Sequence, residues 1–394
     1  MSLRNLFLQH IAQTSTAPIG LEIINAKGIW LYDENNKPYI DFISGFSVAN
    51  IGHSNPKVVE AAQKQAAEYM HLIVYGEFIE APQVSYAKLL TENLPPTLDC
   101  VYFTNSGTEA TEGAMKLAKR FTGRTKIIAF NKSYHGSTQG ALSLMGDEYY
   151  KNSFRPLLTD VHHFDYKSKD VIKAIDNQTA CVVIETVQAE SGVTKPSPEL
   201  FRAIRLKCRE TGTLLILDEI QCGFGRTGSL WAFDQYNVVP DILLLGKALG
   251  GGMPLGAFIA NKNIMRTLTY NPVLGHITTF GGHPVSCAAG KAAFEVLLEN
   301  DFISSIKEKE KILKEYLQHE KIVQLNVAGL WASVRFESFE MNKKIIQSCL
   351  AKGLITDWFL FAPECMRIAP PLIITEEELM QACKLIIEAI DEVI

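Results

Sequence analysis

The sequence has no long apolar run and no block of like charge. None of its hydrophobic stretches approaches the roughly 20 residues that cross a bilayer as a helix, so no association with a membrane is expected. The formal net charge of -5 is made of both signs, which leaves no basic face for a nucleic acid. With 394 residues and 47% hydrophobic content, the chain can bury a large core, and roughly two to three domains are expected. These features favour a globular protein that binds small molecules.

The eight cysteines are also without a pattern. They are scattered along the chain, and no pair has the spacing of a metal site. We therefore predict reduced, buried thiols in a cytoplasmic protein, with no disulfide framework and no metal site. The N-terminal stretch is interrupted by Gln9 and His10, so it lacks the apolar core of a signal peptide.

Strand-like and helical segments alternate through the middle of the chain. The strand-like runs are at residues 100–107, 125–130, 181–186, 214–217 and 242–245. Alternation of this kind predicts a doubly wound α/β domain, which we assign to residues 46–282.

The two ends of the chain have a different sequence pattern. Residues 20–43 alternate in polarity and turn at Asn35-Asn36, which predicts a small antiparallel meander. Long amphipathic helices and short strands follow Pro284. We expect residues 1–45 and 283–394 to form a smaller α+β domain.

Two of the apolar runs end on ionisable groups. The run at 214–217 ends at Asp218, and the run at 242–245 ends at Gly246-Lys247. Runs without alternation suit strands that are covered on both faces in a parallel sheet. Ligands of such sheets bind at the carboxyl ends of the strands. Asp218 and Lys247 are therefore expected to face one crevice as an acid and an amine.

The stretch SGTEA, at residues 106–110, follows a strand-like run and opens a helix with a small apolar face. Backbone N–H groups and the positive end of the helix dipole suit a phosphate at such a position, and Gly107 would allow its close approach. Ser106 and Glu109 also have the spacing of a capping box. The two roles are compatible.

Two nucleotide-binding motifs are matched only formally. GFGRTG, at residues 223–228, has the glycine spacing of a dinucleotide fingerprint, but polar residues separate it from the strand and no apolar helix follows it. The run LLILDE resembles the acidic strand of P-loop ATPases, but Asp241 stands where the first glycine of that loop would be. Neither a nicotinamide enzyme nor an ATPase is favoured.

A lysine, an acid and a phosphate-binding helix start are what pyridoxal 5'-phosphate requires. At these residues the sequence resembles the class III aminotransferases of the fold-type-I pyridoxal phosphate enzymes, and the resemblance covers nearly the whole chain. The shared motifs, in the family's order, are SGTEA, LLILDEIQCGFGRTG, GKALGGGMPLGA, TTFGGHP and RIAPPL. The resemblance implies a large, mostly parallel sheet domain, a smaller α+β domain and bound pyridoxal phosphate.

Matching motifs imply roles for three residues around the cofactor ring. Lys247 would form the Schiff base with the cofactor and carry the proton during the reaction. Asp218 would pair with the pyridine nitrogen and keep it protonated. Gln221 would bind the ring hydroxyl oxygen.

The same matching implies how the rest of the cofactor is held. Ser106, Gly107 and Thr108 would bind the phosphate, and Tyr134 would stack on the ring. Thr279 resembles the residue that reaches the phosphate of the neighbouring subunit. The protein is therefore expected to be a homodimer with composite sites.

Four further residues are expected to contact the substrate. Arg367 lies in an apolar stretch, where a guanidinium needs a partner. In the family this arginine grips the substrate carboxylate, and Glu190 pairs with it when no carboxylate is present. Many relatives have an arginine where this chain has Ser137, and ornithine aminotransferases have a tyrosine where it has Phe46. Two groups that would hold a second carboxylate are thus absent.

The implied reaction is ping-pong amino transfer. The donor would be a terminal amine of the acetylornithine or ornithine type, and the acceptor a 2-oxo acid such as 2-oxoglutarate. Racemases, epimerases and aminomutases of the family keep the same cofactor residues, so isomerisation stays open as an alternative. A non-catalytic protein on this fold is disfavoured, because Lys247, Asp218 and Gln221 are all present.

Overall fold

The computed structural model describes residues 2–393. The strands are β1 (Ile23–Lys27), β2 (Trp30–Asp33), β3 (Pro38–Asp41), β4 (Cys100–Thr104), β5 (Lys126–Phe130), β6 (Val161–Phe164), β7 (Thr179–Glu185), β8 (Leu214–Asp218), β9 (Ile242–Leu245), β10 (Gly256–Ala260), β11 (Gln324–Val327), β12 (Ala332–Arg335), β13 (Leu354–Ile355), β14 (Asp357–Phe359) and β15 (Ala362–Ile368). The helices are α1 (Leu3–His10), α2 (Ser44–Ser47), α3 (Pro56–Glu68), α4 (Ala81–Glu92), α5 (Gly107–Thr122), α6 (Gln139–Leu144), α7 (Glu148–Lys151), α8 (Asp170–Ala174), α9 (Pro198–Thr211), α10 (Lys262–Met265), α11 (Pro284–Glu299), α12 (Phe302–Tyr316), α13 (Phe339–Ala351) and α14 (Glu376–Val393).

A seven-stranded sheet forms the centre of the molecule, in the order β4-β10-β9-β8-β7-β5-β6. Strands β5 to β9 pair in parallel. Alternate residues of the central strands enter two hydrophobic cores, with Leu215 and Leu217 in one and Ile216 and Leu244 in the other. A core on each face explains why these runs are continuously apolar. The α/β class and the mostly parallel sheet are confirmed.

Strand β10 was not predicted from the sequence. It lies between β4 and β9 and pairs antiparallel with both. The connection from the end of β9, at Leu245, to Gly256 is too short for the helical crossover that a parallel neighbour would need, whereas an antiparallel neighbour needs none. The glycine-rich stretch in this connection turns the chain back along β9.

Two smaller sheets flank the central one, in the orders β1-β2-β3-β13 and β11-β12-β15-β14. The predicted N-terminal meander is present, and Asn36 in its second turn has a left-handed φ of 59°. Strand β13 from the C-terminal part adds to β3 in parallel, so both ends of the chain share a sheet. Helix α11 packs against α3 and α4. The boundaries at residues 46 and 282 stay a prediction.

The arginine of the GFGRTG stretch, Arg226, joins three parts of the chain. Its guanidinium donates to the carbonyl oxygens of Leu330 (2.9 Å) and Pro370 (2.6 Å). It also donates to Ser44 Oγ (3.1 Å) and Asn50 Oδ1 (2.5 Å). The side chain is fully buried, and this burial lowers the pKa of Arg226 to about 9. The motif that formally matches a dinucleotide fingerprint is therefore a structural junction.

Within residues 2–393, no helix is both long enough and apolar enough to span a bilayer.

Candidate active site

A cavity of about 480 Å³ opens at the carboxyl ends of β7 and β8. This is the edge of the sheet where ligands of parallel α/β folds bind. Seven of the predicted site residues line it, namely Gly107, Thr108, Tyr134, Ser137, Asp218, Gln221 and Lys247. The acid and the amine expected from the strand ends therefore share one cavity.

Lys247 follows β9 after a single glycine and takes the left-handed conformation, with φ 50°. Its Nζ donates to Gln221 Oε1 at 2.6 Å. Burial lowers the pKa of Lys247 to about 8, although Glu190 acts in the opposite direction. A lysine with this pKa is partly neutral near physiological pH, and the neutral amine can act as a nucleophile or a base.

Asp218 ends β8 and is buried. Its Oδ2 lies 2.7 Å from His135 Nδ1, and its Oδ1 accepts from the backbone N–H of Ile220 at 2.9 Å. Burial acts to lower the pKa of His135, but the hydrogen bond and charge of Asp218 raise it overall. His135 thus fixes the orientation of the carboxylate. His135 was not predicted as a site residue, although it directly follows Tyr134.

A second carboxyl group, that of Glu185, lies beside Asp218. The two residues are paired across β7 and β8. Burial raises the pKa of Glu185 to about 8, and its oxygens accept from the backbone N–H groups of Tyr134 (3.1 Å) and Ala189 (2.8 Å). Glu185 lines the cavity but was not predicted as a site residue. The rule that identified Asp218, an acid at the carboxyl end of a buried strand, applies to Glu185 as well.

Helix α5 begins at the cavity. Ser106 is its N-cap residue, and Ser106 Oγ accepts from the N–H of Glu109 at 3.4 Å. The Glu109 carboxylate accepts from the N–H of Asn105 at 2.8 Å, so only half of the predicted capping box forms. A Cβ at Gly107 would lie 2.7 Å from a methyl group of Ile220. A side chain at this position would displace Ile220, whose backbone N–H donates to Asp218.

Side chains beside the helix start are joined by hydrogen bonds. Thr108 Oγ1 lies 2.7 Å from Thr138 Oγ1, and Tyr134 Oη lies 3.1 Å from Ser137 Oγ. Tyr134 and Ser137 both line the cavity. Thr138 Oγ1 also donates to Glu112 Oε1 at 2.6 Å. These hydroxyl groups give the wall next to the α5 N-terminus a polar character.

Arg367 and Glu190 form the predicted ion pair. Both carboxylate oxygens of Glu190 accept from the guanidinium, at 2.9 and 2.8 Å, and Arg367 is only 2% exposed. Burial acts to raise the pKa of Glu190, but Arg367 lowers it overall. Phe46, whose φ of 64° is rare for a phenylalanine, lies with its ring centroid 5.1 Å from the guanidinium carbon, and Phe359 lies at 4.3 Å. Glu190 directly follows Ala189, which lines the cavity.

The predicted residue Thr279 is not among the residues that line the cavity. It is exposed, in the segment before α11. The preceding residue, Thr278, accepts from Asn105 Nδ2 at 3.1 Å and so attaches this segment to the residues before α5.

Among residues 2–393, no group of three or more His, Cys, Asp or Glu residues is arranged to hold a metal ion.

A mostly parallel sheet that brings a lysine and an acid to one cavity, beside a helix N-terminus, is the arrangement of a pyridoxal phosphate enzyme. Comparison with known families defines the class further. Residues 11–390 match the family model described as "Aminotransferase class-III". The chain belongs to this family, and it is a PLP-dependent aminotransferase.

Individual relatives agree with this assignment. An acetylornithine aminotransferase of Methanopyrus kandleri is 37% identical over 376 residues, which cover 95% of this chain and 94% of the relative. A solved ornithine aminotransferase of Toxoplasma gondii superposes with a TM-score of 0.91 at 29% identity, over 99% of this chain and 93% of that one. A solved (S)-enantioselective omega-transaminase of Thermomicrobium roseum superposes with a TM-score of 0.91 at 27% identity. The superposition covers 99% of this chain and 98% of that one. These comparisons support amino transfer, and nothing in them favours the racemase or aminomutase alternative.

The cavity residues fit pyridoxal phosphate. The N-terminus of α5 offers unpaired backbone donors for a phosphate. Asp218 supplies a buried carboxylate, and Gln221 Nε2 is buried without a hydrogen-bond partner in the described chain. A buried donor of this kind needs an acceptor oxygen, which a ring hydroxyl oxygen would provide.

Proposed function

We propose that this aminotransferase takes the amino group from the terminal amine of an acetylornithine- or ornithine-type donor and passes it to a 2-oxo acid such as 2-oxoglutarate. The observation that carries the proposal is the buried ion pair between Arg367 and Glu190, with both guanidinium nitrogens of one edge bound to one carboxylate. A substrate carboxylate can replace the Glu190 carboxylate on that edge. The names of the acetylornithine aminotransferase relatives support the donor class.

The proposed roles of the residues follow from their positions. Bound pyridoxal phosphate supplies an electron sink for the carbon that carries the amino group. Lys247 holds the cofactor and moves the proton at that carbon, which its lowered pKa favours. Asp218, oriented by His135, keeps the pyridine nitrogen protonated, and Gln221 binds the ring hydroxyl oxygen. Ser106, Gly107 and Thr108 bind the phosphate, and Tyr134 stacks on the ring.

The proposed acceptor site is the Arg367 edge. An oxo acid would bind its carboxylate there after Glu190 has moved aside. A terminal amine donor carries no carboxylate at its reacting end, so it would leave the pair of Arg367 and Glu190 intact. One site could then serve both half-reactions.

The distal part of the donor would lie near Ser137 and Phe46. Both side chains are exposed, and they offer one hydroxyl group and an apolar wall. We expect weak selection for a distal carboxylate, so that N-acetylornithine or less polar amines are used at least as well as free ornithine. Ser137→Arg is expected to improve carboxylate-bearing donors roughly tenfold, if half of a charged hydrogen bond is gained.

The test is the ratio of kcat/KM for ornithine to kcat/KM for an uncharged terminal amine, measured in the wild type and in Ser137→Arg. Ser304→Arg is a matched control, since this serine is exposed and remote in sequence from the cavity-lining residues. A wild type that strongly prefers ornithine, with a ratio unchanged in Ser137→Arg, would show that another residue binds the distal carboxylate.

We also propose a homodimer with composite sites, in which Thr279 reaches the phosphate bound by the partner subunit. Two neighbouring segments, at residues 70–84 and 270–280, support it with an unusual number of exposed apolar side chains. These are Met70, Leu72, Ile73, Phe78, Ile79, Val84, Tyr270, Val273, Leu274, Ile277 and Phe280. Side chains of both segments line two common cavities. A concentration of exposed apolar side chains is typical of a protein interface.

The dimer prediction is checked by sedimentation of the holoenzyme at micromolar concentration. The wild type is expected to sediment as a dimer. Ile79→Glu should shift it toward monomer, because Ile79 is 95% exposed in the isolated chain and would carry a charge into the interface. Val323→Glu, at an exposed valine outside both segments, should leave the dimer intact. A monomeric wild type with full activity is the result that contradicts composite sites.

We propose a cytoplasmic location. All eight cysteines are free thiols, and seven of them are buried, as suits a reducing compartment.

A further inference from the structure

Arg367 is held by two carboxylates rather than one. Glu190 occupies the edge formed by the two terminal nitrogens, at 2.9 and 2.8 Å. On the other side, Nε donates to Asp357 Oδ1 at 3.0 Å. Strands β14 and β15 pair antiparallel with Asp357 directly opposite Arg367, so the sheet itself fixes this second contact.

The two carboxylates use different parts of the guanidinium. A substrate carboxylate that binds bidentately needs the edge that Glu190 occupies. Glu190 must leave that edge, whereas Asp357 can remain on Nε. The guanidinium also donates to the backbone oxygen of Trp358 at 3.2 Å. Arg367 would thus stay oriented by β14 throughout the exchange.

The charges that face Asp357 are those of Arg367, Glu190 and Asp41. Asp41 is itself paired with His53, whose Nε2 lies 2.7 Å from Asp41 Oδ2. Arg367 therefore shares its single positive charge between two carboxylates before any substrate arrives. An incoming carboxylate meets a cation that is already partly neutralised, in a buried setting where charges are weakly screened.

We propose that Asp357 is a specificity-determining residue that weakens the grip of Arg367 on a substrate carboxylate, by keeping the guanidinium paired with an anion after Glu190 has moved aside. This rests on the proposed function, in which Arg367 anchors the oxo acid. The consequence is a carboxylate site with a lower affinity for its ligand, in which the orientation of Arg367 is preserved.

The site should respond to pH. Burial raises the pKa of Asp357 to about 6, although Arg367 acts to lower it. A substrate carboxylate on Arg367 brings another negative charge close to Asp357 and raises this pKa further. By linkage, the protonated form of Asp357 binds the carboxylate more tightly. Affinity for a carboxylate therefore rises as the pH falls through about 6, and it is lowest where Asp357 is fully ionised.

The experiment measures binding of glutarate to the pyridoxamine phosphate form of the holoenzyme by calorimetry. Glutarate has both carboxylates of 2-oxoglutarate but no oxo group, so it binds without reacting. Asp357→Asn keeps an oxygen acceptor for Nε and removes the charge. At pH ~7.5 the variant is expected to bind glutarate roughly tenfold more tightly than the wild type, which corresponds to a shift of about one pKa unit on binding. Near pH ~5.5 the two Kd values should converge, because Asp357 is then largely protonated.

Glu364→Gln is the matched control. Glu364 lies on β15, the strand that carries Arg367, and its carboxylate is 3.5 Å from Arg335 rather than on Arg367. This variant should reproduce the wild-type Kd at both pH values. An unchanged Kd and pH profile in Asp357→Asn would overturn the proposal.

A second measurement uses the wild type, so it tests the proposal even if Asp357→Asn folds poorly. Glutarate binding to the wild type near pH ~6.5, repeated in buffers of different ionisation enthalpy, should show net proton uptake. No uptake would overturn the proposal, and uptake that persists undiminished in a folded Asp357→Asn variant would assign it to Glu190 instead. If Arg367→Met binds glutarate as tightly as the wild type, Arg367 does not anchor the carboxylate, and this part of the proposed function is wrong. If Arg367→Met loses glutarate binding but Asp357→Asn does not change it, Arg367 is the anchor and only the proposal for Asp357 is wrong.

Discussion

Replacement of Lys247 by alanine is expected to lower kcat for every donor by at least about a thousandfold, since a positioned proton carrier contributes about 10²–10⁴ and the attachment of the cofactor is lost as well. The physical reason is the setting of the side chain. Its Nζ lies 2.6 Å from Gln221 Oε1, and its pKa is lowered to about 8 by burial. The measurement is the rate of each half-reaction in single turnover, with the cofactor content determined separately.

Lys195→Ala is a suitable control, because Lys195 is exposed on the surface. It should keep the wild-type rates. The cavity of Lys247→Ala should still bind the cofactor, since the helix start and Asp218 are untouched. A Lys247→Ala enzyme that retains rates within a few-fold of the wild type would contradict the role of Lys247 in both attachment and proton transfer.

Asp218→Asn is expected to lower the rate of the half-reaction with a good donor about a hundredfold or more. A loss of this size is typical when a preorganised electrostatic partner is removed from an active site. The charge matters chiefly when negative charge develops at the reacting carbon, because a protonated pyridine nitrogen then stabilises it. Cofactor content should change far less than rate. The paired measurements are the absorbance of bound cofactor and the single-turnover rate.

The variant keeps an oxygen that can accept from the N–H of Ile220, so the local fold should survive. Asp165→Asn removes a carboxylate that binds Asn131 near the surface, at 2.7 Å, and serves as the control. Half-reaction rates within a few-fold of the wild type in Asp218→Asn would show that Asp218 is not the partner of the pyridine nitrogen.

The central sheet and the pair of Asp218 and Lys247 could be predicted because short stretches of the sequence indicate them. Strands buried on both faces are continuously apolar, so β8 and β9 were visible as short runs with an ionisable group at the end. Parallel pairing then brings Asp218 and Lys247 to the same edge. The helix start at Ser106 could be predicted from the SGTEA stretch itself, and the motif resemblance added the pair of Arg367 and Glu190.

Other features depend on contacts between distant residues and leave no such signal. Asp357 pairs with Arg367 only because β14 and β15 lie side by side. The pairing of Asp218 with His135 joins residues 83 positions apart. The antiparallel pairing of β10 follows from a connection too short for a crossover, and the sequence alone does not specify which strands it joins. Arg226, inside a glycine-rich motif, donates to the carbonyl oxygens of Leu330 and Pro370, which are more than 100 residues away in the sequence.

The assignment of Lys247 as the residue that holds pyridoxal phosphate can be tested by locating the lysine to which the cofactor is attached. Borohydride reduction of the holoenzyme, followed by peptide mass mapping, fixes the cofactor covalently to the lysine that holds it. We expect a yellow protein and one adduct, on Lys247 in the peptide that contains GKALGGG. An adduct on any other lysine, or a purified protein that takes up no pyridoxal phosphate, would contradict this assignment.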